Sequence, residues 1–240
     1  MKLFVLAALV ATANAVTVCS ITYSEPDCKG TGTKTCASGS GSCSGLSSGC
    51  TNLFGTSIQV TCTSGCFPAD STVALESGES KRMSEVTVGD RVQVGDNQFS
   101  DVFMFSHSIP KSKAEYVKIT TASKAVLRLT DEHYLYVNGA LAPAGKVAVG
   151  DKVVLANGTA SVVVAVSTVE AEGIYNPHTM HGDIVVDGVT TSTYTTAVHP
   201  TVAHAILAPL RALYAAGINV YSAAVESAMP LLNRLLPAGL

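Results

Sequence analysis

Short runs of β-branched and aromatic residues, separated by Gly-Asp and other polar turns, fill the middle of the chain, residues 66–198. Runs of this length and composition are typical of β-strands. The pattern predicts nine strands, namely Thr72–Leu75, Arg91–Val94, Val102–Phe105, Tyr116–Thr120, Ala125–Leu129, Tyr134–Val137, Lys152–Leu155, Ser161–Val166 and Asp183–Val186. No segment before residue 200 shows a helical period. The region is therefore predicted to be all-β.

The β-patterned region contains an internal repeat. The run Glu85–Val94 (EVTVGDRVQV) resembles Lys146–Leu155 (KVAVGDKVVL), and Ser100–Ser106 resembles Ser161–Ser167. Chance similarity between valine-rich strands is the alternative, and the equal offset of the two matches argues against it. The repeat predicts two similar β subdomains related by a pseudo-twofold axis.

The first segment, residues 1–15 (MKLFVLAALVATANA), has the composition of a secretory signal peptide. It combines a positive start, a short apolar run and an Ala-x-Ala ending, the pattern of a cleavable signal. The run is too short to span a bilayer. The rest of the chain is therefore expected to enter the secretory pathway and to be secreted into an oxidising, extracellular environment.

Residues 16–65 hold six of the seven cysteines among Gly, Ser and Thr. They are Cys19, Cys28, Cys36, Cys43, Cys50 and Cys62. An even set in a short secreted segment predicts three disulfides in a small, loop-rich module, with a pairing that the sequence does not define. A metal site is less favoured, because no C-x-x-C pair is present. If the six pair among themselves, Cys66 remains a thiol; the alternative is a bond between Cys62 and Cys66.

The last segment, residues 199–240, changes from β to helical patterning. Apolar residues recur at helical spacing from 202 to 214, and Pro209 predicts a break or kink there. A second apolar stretch, Ile218–Leu236, is interrupted by charges and is a poor spanning helix. It can be a core helix, an amphipathic surface helix or a lipid-contacting segment, and its composition favours packing against the domain.

The charge of the chain bears on whether nucleic acid is a binding partner. The chain is 47% hydrophobic and 14% charged, with a net charge of -3 and no basic cluster. Nucleic acid is therefore not an expected partner. The length suits one moderate domain with small appendages. Four segments are predicted: 1–15, 16–65, 66–198 and 199–240.

The dipeptide Gly65-Cys66 lies at the boundary between the cysteine-rich and β-patterned segments. A Cys66 thiolate can attack the Gly65 carbonyl and convert the peptide bond into a thioester. Glycine, which lacks a Cβ, lets a nucleophile approach closely. The departing amide nitrogen needs a proton, for which histidine is the usual donor, and a hydroxyl should hold or polarise the amide. Thr130 and His133, three residues apart in one predicted turn, are the candidates.

Six motifs follow one another in an order that resembles the Hint domain of hedgehog-type autoprocessing proteins, the Hog domain. They are Gly65-Cys66-Phe67-Pro68, Val88-Gly89-Asp90-Arg91-Val92, Thr130-x-x-His133, Gly173–Gly182, Asp187–Tyr194 and Ala203–Arg211. The resemblance covers about residues 65–240. It implies an all-β Hint fold with pseudo-twofold symmetry, an N-terminal disulfide-rich module and a short helical tail.

The resemblance also implies a mechanism. Cys66 would perform an N-to-S acyl shift on Gly65, with His133 protonating the departing amide and Thr130 holding the scissile bond. A sterol or other lipid hydroxyl, or water, would then resolve the thioester. The segment 199–240 is similar to the start of a sterol-recognition tail, which implies contact with a lipid acceptor and with a membrane surface. No cofactor or metal enters this chemistry.

Three departures from the family pattern limit the comparison. Residues 16–65 do not resemble the hedgehog signalling domain. His107 aligns with the family's sterol-activating aspartate, and we expect it to act as the base instead. Thr193 replaces the family's later cysteine, so a redox role is lost there.

Two alternatives remain open. One is a catalytically silent secreted protein in which a disulfide module is attached to a Hint fold. The other is intein-like hydrolytic cleavage without lipid transfer; splicing is not expected, because no His-Asn-Cys/Ser/Thr ending is present. Of the remaining histidines, His178 and His181 are predicted to lie in a surface loop. His199 and His204 are predicted to be packing or surface residues.

Overall fold

The computed structural model of the chain describes residues 15–23, 25, 32–40, 50–53, 56–63, 65–196 and 199–218. The strands in chain order are β1 Ala15–Tyr23, β2 Gly32–Ser40, β3 Cys50–Leu53, β4 Thr56–Thr63, β5 Thr72–Ala74, β6 Ser80–Arg82, β7 Arg91–Gly95, β8 Gln98–Thr121, β9 Val126–Leu129, β10 His133–Val137, β11 Ala140–Pro143, β12 Lys152–Val154, β13 Ala160–Thr179, β14 Asp183–Val186 and β15 Val189–Thr195. The helices α1 Pro200–Ile206 and α2 Ala208–Ala215 follow. The described residues before 200 are thus β-structured apart from turns and two 3-10 turns, as predicted.

The cysteine-rich segment forms an antiparallel sheet with the strand order β2-β1-β4-β3. The expectation of a loop-rich module is therefore wrong for the described part of residues 16–65. Threonine favours the extended pleated conformation, and β1, β2 and β4 carry it repeatedly. The three disulfides stay a prediction. The expected signal peptide lies, apart from Ala15, outside the described residues.

The larger sheet has the order β14-β15-β10-β12-β13-β8-β7, with β11 paired to β10 and β9 paired to β8. Its longest pairing joins β8 and β13, from Thr121 opposite Val163 to Val102 opposite Thr179. Two predicted strands, Val102–Phe105 and Tyr116–Thr120, are parts of the single strand β8. The residues between them are polar and largely exposed, so no apolar run marked them as a strand.

Strand β15 was not predicted, because its sequence, VTTSTYT, is mostly hydroxyl-bearing although almost entirely buried. The hydroxyls are satisfied locally. Thr191 Oγ1 donates to Ile184 O at 3.0 Å, and Thr193 Oγ1 donates to Gly182 O at 3.0 Å. Buried hydroxyls with partners are tolerated in a core. Strands β6 and β11, each only three or four residues long, were also missed.

The predicted repeat is confirmed by two turns that are built alike. Gly89 N donates to Val102 O and Gly150 N donates to Val163 O, both at 2.9 Å. The two glycines have φ of +97° and +99°. The aspartate after each glycine accepts a 2.8 Å hydrogen bond from the backbone three residues earlier. These aspartates therefore stabilise the two turns.

Apolar side chains from both halves of the repeat form the main core. Its fully buried members include Val73, Met83, Val92, Ile119, Leu127, Leu135, Val153 and Ile184. Burying a side chain of this size stabilises the fold by about 1.5–3 kcal/mol. Phe67, also fully buried here, anchors the chain immediately after Cys66.

A second apolar cluster joins the tail helices to the sheet. It consists of Phe103, Met104, Tyr194, Leu207 and Leu210. The helices break between Ile206 and Ala208, one residue before Pro209, as predicted. The predicted second apolar stretch lies, apart from Ile218, outside the described residues. Within the part that the structure describes, no helix is long and apolar enough to cross a membrane.

The glycine turns yield a test of the fold. A Cβ built on Gly89 meets nothing within 4 Å, so alanine there costs only the backbone strain of a positive φ. We expect Gly89→Ala to lower the free energy of unfolding by about 1–2 kcal/mol in urea denaturation. Gly95→Ala is the matched control, since Gly95 has no positive φ and its Cβ would meet Gln98 only at 3.9 Å. Equal losses in the two variants would contradict the role of the turn.

Candidate functional site

Backbone pairing fixes the position of Cys66. Phe67 N donates to Tyr175 O at 2.8 Å and Tyr175 N donates to Phe67 O at 3.0 Å. Cys66 is 0% exposed and carries a thiol rather than a disulfide. The alternative of a Cys62–Cys66 bond is therefore wrong. The structure places the candidate nucleophile inside the protein, next to the edge of β13.

Thr130 is hydrogen-bonded to the backbone of Cys66 on both sides of its Cα, that is, to two successive peptide groups. Cys66 N donates to Thr130 Oγ1 at 2.9 Å, and Thr130 N donates to Cys66 O at 3.0 Å. His133 N donates to Thr130 O at 3.1 Å and closes the predicted turn between β9 and β10. The nitrogen that would leave Gly65 is thus already bound to a hydroxyl oxygen.

His133 lies beside Gly65, the residue before the candidate nucleophile. Its Nε2 is 2.7 Å from Ser192 O. Since a carbonyl oxygen only accepts, Nε2 carries the proton and Nδ1 is the bare nitrogen of the neutral ring. Nδ1 is on the Gly65 side: a Cβ built on Gly65 would lie 3.3 Å from it. Nδ1 does not form a hydrogen bond with the protein, although the Gly65 backbone has a small raising effect on the pKa of His133.

Burial controls the charge of His133. Its side chain is fully buried, and this burial lowers its pKa to about 4, against smaller raising effects from the Ser192 and Gly65 backbones. The ring of Phe67 packs against it at 4.4 Å between centroids. His133 is therefore neutral near neutral pH, and it must take up a proton before it can donate one.

Gly65 has no room for a side chain. An added Cβ would overlap Thr195 Cγ2 and would lie 2.7 Å from Thr195 Cβ. Thr195 ends β15, the strand that also supplies Ser192. The residue before the nucleophile is thus restricted to glycine by a neighbour in the fold. Sequence reasoning missed Thr195, because its position relative to Gly65 exists only in three dimensions.

His107 lies in β8, opposite Asn176 of β13. Asn176 follows Tyr175, the residue paired with Phe67, so His107 is two strands away from the Cys66 segment. Adjacent strands are about 4.8 Å apart, which separates the two backbones by about 10 Å. His107 is 7% exposed, and burial lowers its pKa to about 4. The structure thus places His107 near the Cys66 segment without joining it to the Cys66–Thr130–His133 group.

The prediction of a surface loop is wrong for His178. It lies in β13, is 5% exposed, and its Nε2 is 3.1 Å from Ser106 Oγ. Pro177 suggested a loop, but the strand accommodates it at a shift in register between Asn176 and Pro177. His181, in the turn that follows, is exposed as predicted. Asn176 and His178 alternate on one strand, a period-two signal that could have identified them.

The remaining histidines act in packing or lie at the surface, as expected. His204 Nδ1 is 2.7 Å from Tyr194 Oη, and His199 precedes α1 as an exposed residue. Among the described residues, no group of three or more His, Cys, Asp and Glu side chains is arranged to hold a metal ion.

A family model described as the Hint module matches residues 55–228, more than half of the 240 residues. The chain is 34% identical over 164 residues to Protein hedgehog of Drosophila virilis, a match covering 62% of this chain and 34% of that protein. It is 33% identical over 164 residues to Tiggy-winkle hedgehog protein of Danio rerio, a match covering 61% of this chain and 39% of that protein. It is 29% identical over 154 residues to Warthog protein 1 of Caenorhabditis elegans, covering 59% and 32%. The chain thus spans about a third of the length of the curated relatives it matches.

Solved intein structures are also similar in shape. The gp41-1 intein gives a TM-score of 0.48 at 17% identity, covering 54% of this chain and 99% of the intein. The bacterial intein-like domain from Clostridium thermocellum gives a TM-score of 0.44 at 19% identity, covering 54% of this chain and 99% of that domain.

The family match agrees with the two β-rich repeats that the structure shows. The chain belongs to the Hint module family, and its Hint domain is of the hedgehog type. Its fold is accordingly the all-β Hint fold. The segment boundaries predicted at residues 15, 65 and 198, and the catalytic roles of individual residues, stay predictions.

The contact between Gly65 and Thr195 predicts a strict requirement for glycine. Gly65→Ala should slow cleavage of the 65–66 bond by about 100-fold, because the added methyl group displaces the peptide from its partners. Thr195→Gly removes the obstructing atoms and should restore much of the rate when combined with Gly65→Ala. Cleavage is followed as the loss of full-length chain on gels. A double variant as slow as Gly65→Ala alone would contradict the steric explanation.

The buried histidines predict that stability depends on pH. The folded-state pKa values of His107, His133 and His178 are about 4, 4 and 3, below the ordinary 6.5. Between the folded-state values and pH 6.5, the unfolded chain binds more protons than the folded chain. The stabilising effect of the neutral histidines is therefore complete above pH 6.5 and falls as the pH decreases toward 4. Each histidine contributes a slope of about 1.4 kcal/mol per pH unit in this window.

The measurement is urea denaturation at several pH values in a Cys66→Ala background, which removes the candidate nucleophile. His107→Gln should reduce the slope by about a third, whereas His199→Gln, a change at an exposed position, should leave it unaltered. A stability that does not change between pH 6.5 and 4 would show that these histidines are protonated in the folded chain.

Proposed function

We propose that the chain is a secreted precursor that cleaves itself between Gly65 and Cys66 through an internal thioester. Membership of the Hint family supports self-processing as the class of activity. The observation that carries the specific proposal is the hydrogen bonding around the Gly65–Cys66 peptide bond. Its N–H donates to Thr130 Oγ1, and Thr130 N donates to the carbonyl of Cys66, which belongs to the next peptide bond. His133 Nδ1 lies near Gly65.

In the first step, the Cys66 thiol loses its proton to His133 Nδ1, the bare nitrogen of the neutral ring. The thiolate attacks the Gly65 carbonyl carbon and forms a C–S bond. Burial of the ring makes the resulting imidazolium a strong acid. It is therefore suited to return the proton at once to a neighbouring atom.

In the second step, that proton passes from His133 to the Cys66 nitrogen, and the C–N bond to Gly65 breaks. Thr130 Oγ1 continues to accept a hydrogen bond from this nitrogen as it becomes an amine. The hydroxyl thus keeps the leaving group aligned while the thioester forms. Ser192 O holds Nε2 and prevents the ring from changing tautomer.

A hydroxyl-bearing acceptor then resolves the thioester and releases the upstream fragment. The resemblance to hedgehog proteins points to a sterol or other lipid alcohol, brought to a membrane surface by residues 199–240, and water is the alternative. His107 is the proposed base of this step. Burial keeps its imidazole in the neutral form that can accept a proton from the acceptor.

Secretion is part of the proposal. It is supported by the signal-like residues 1–15, by the cysteine-rich segment and by the hedgehog relatives. The competing function is a silent structural protein. The intact arrangement of Cys66, Thr130 and His133 favours the active form, because a protein without the chemistry has no need to bury this set together.

Thiol-induced cleavage of the purified chain tests the proposal. The unaltered chain should be cleaved by dithiothreitol or hydroxylamine, which attack thioesters, and the break should map to the 65–66 bond. Cys66→Ala should remain full-length. His133→Ala should also resist added thiol, because no thioester forms; we expect a loss of about 100-fold or more.

His181→Ala is the control, since His181 is exposed in a turn and should not alter the rate. Continued cleavage at the same bond in Cys66→Ala would rule out the nucleophile. Rapid thiol cleavage in His133→Ala would rule out its role in the first step.

A further inference from the structure

A group of polar side chains, three of them buried and one partly buried, lies beside the Cys66 segment and has no role in thioester formation. It comprises Ser106 and His107 of β8 and Asn176 and His178 of β13, and we call it the polar cluster. His107, Asn176 and His178 are 7%, 3% and 5% exposed. His107 is the cross-strand partner of Asn176, and Asn176 Nδ2 lies 3.5 Å from His178 Nε2. The three buried residues therefore lie together on two paired strands.

The internal hydrogen bonds of the polar cluster fix its donors and acceptors. Asn176 Nδ2 donates to Ser106 Oγ at 2.9 Å, so the serine hydrogen is available for His178 Nε2 at 3.1 Å. His178 then carries its proton on Nδ1. This leaves Asn176 Oδ1, His178 Nδ1 and both ring nitrogens of His107 without a hydrogen-bond partner in the protein.

For one bound molecule these atoms supply one donor and two acceptors. His178 Nδ1–H donates, whereas Asn176 Oδ1 and the bare nitrogen of His107 accept; the protonated nitrogen of His107 points away from the bare one. A water molecule offers two hydrogens for the two acceptors and a lone pair for the donor. Buried waters typically bind such otherwise unsatisfied groups, with two to four hydrogen bonds each.

A lipid alcohol fits the polar cluster less well. Its single hydroxyl carries one hydrogen, so it cannot serve both acceptors, and its hydrocarbon body would leave polar atoms buried without partners. Such atoms are strongly disfavoured. The apolar side of the neighbourhood is already occupied by the chain itself. The His178 ring lies 6.4 Å from that of Phe103 and 5.8 Å from that of Tyr194, and both belong to the apolar cluster that contacts the tail helices.

The polar cluster is placed next to the bond that has to be resolved. Phe67 is paired with Tyr175, and the neighbouring Asn176 is paired with His107. A water held by the polar cluster therefore lies one to two strand spacings, about 5–10 Å, from the backbone segment that would carry the thioester.

We propose that the acceptor is water, bound by His107, Asn176 and His178, and that the thioester is resolved by hydrolysis. This inference rests on the proposed function. The water gives a proton to the bare nitrogen of His107, and its oxygen bonds to the Gly65 carbonyl carbon. The C–S bond then breaks, and the Cys66 thiolate takes up the proton from His107. The products are a Gly65 carboxylic acid, which ionises at neutral pH, and a Cys66 thiol with a free amino group.

The first test is the chemical form of the released fragment. The full chain is expressed in secreting cells supplied with labelled sterol, and the fragment ending at Gly65 is analysed by mass spectrometry. We expect a free carboxylate without label. Cleavage of purified precursor in heavy-oxygen water should introduce one heavy oxygen atom at Gly65. A fragment carrying sterol, another lipid or any other alcohol as an ester would overturn the inference.

The second test separates the two steps. His107→Ala, Asn176→Leu and His178→Leu should each slow spontaneous release, with the largest effect, about 100-fold, for His107→Ala. Dithiothreitol needs neither the base nor the water, so it should still cleave all three variants as fast as the unaltered chain. His204→Phe is the control outside the polar cluster and should retain spontaneous release.

The outcomes distinguish this inference from the function on which it rests. If thiol fails to cleave the unaltered chain, no thioester forms and the proposed function itself is wrong. Spontaneous release at the unaltered rate in the three variants would overturn only the hydrolytic role. Loss of thiol cleavage in all three would show that the polar cluster supports the fold and not the hydrolysis, and would also overturn the inference.

Discussion

The reciprocal hydrogen bonding between Cys66 and Thr130 is the constraint on which the site depends. The two residues are 64 positions apart in the chain. Buried backbone groups need partners, so the Cys66 peptide can occupy this place only when the turn after β9 is formed. The unfolded chain therefore lacks both the hydroxyl contact and the nearby imidazole. The proposed reaction is thus tied to completion of the fold, and the upstream segment would be released only by a folded domain.

The buried histidines of the site differ in their hydrogen bonding. His133 is held by Ser192 O through Nε2, which fixes its tautomer and directs the bare Nδ1 toward one peptide bond. His107 and His178 are 7% and 5% exposed; both ring nitrogens of His107 and Nδ1 of His178 have no hydrogen-bond partner in the protein. The first arrangement suits a single internal proton transfer, whereas the second suits binding of a small polar molecule. The same burial makes the folded chain less stable in acid, because protonated imidazoles are disfavoured there.

Periodicity made most of the fold predictable from the sequence. The strands with apolar alternation, the equal-offset repeat and the T-x-x-H turn were all recognisable, because each depends on local pattern. Strand β15 was not, since buried threonines look like a polar loop until their hydroxyls find carbonyl partners. His178 was misplaced because Pro177 is usually a sign of irregular structure. Thr195 could not be identified at all, because its effect on Gly65 is a steric contact between distant segments.

The contacts that define the scissile bond involve backbone atoms and the absence of one side chain. Thr130 binds the amide and carbonyl of Cys66, and Thr195 excludes any residue but glycine at position 65. Among the described residues, these contacts involve no side chain of the cysteine-rich segment. Recognition of this kind requires only a glycine before the nucleophile and a chain that can reach the site. The contacts described at the proposed scissile bond therefore require glycine at position 65 and involve only backbone atoms of Cys66.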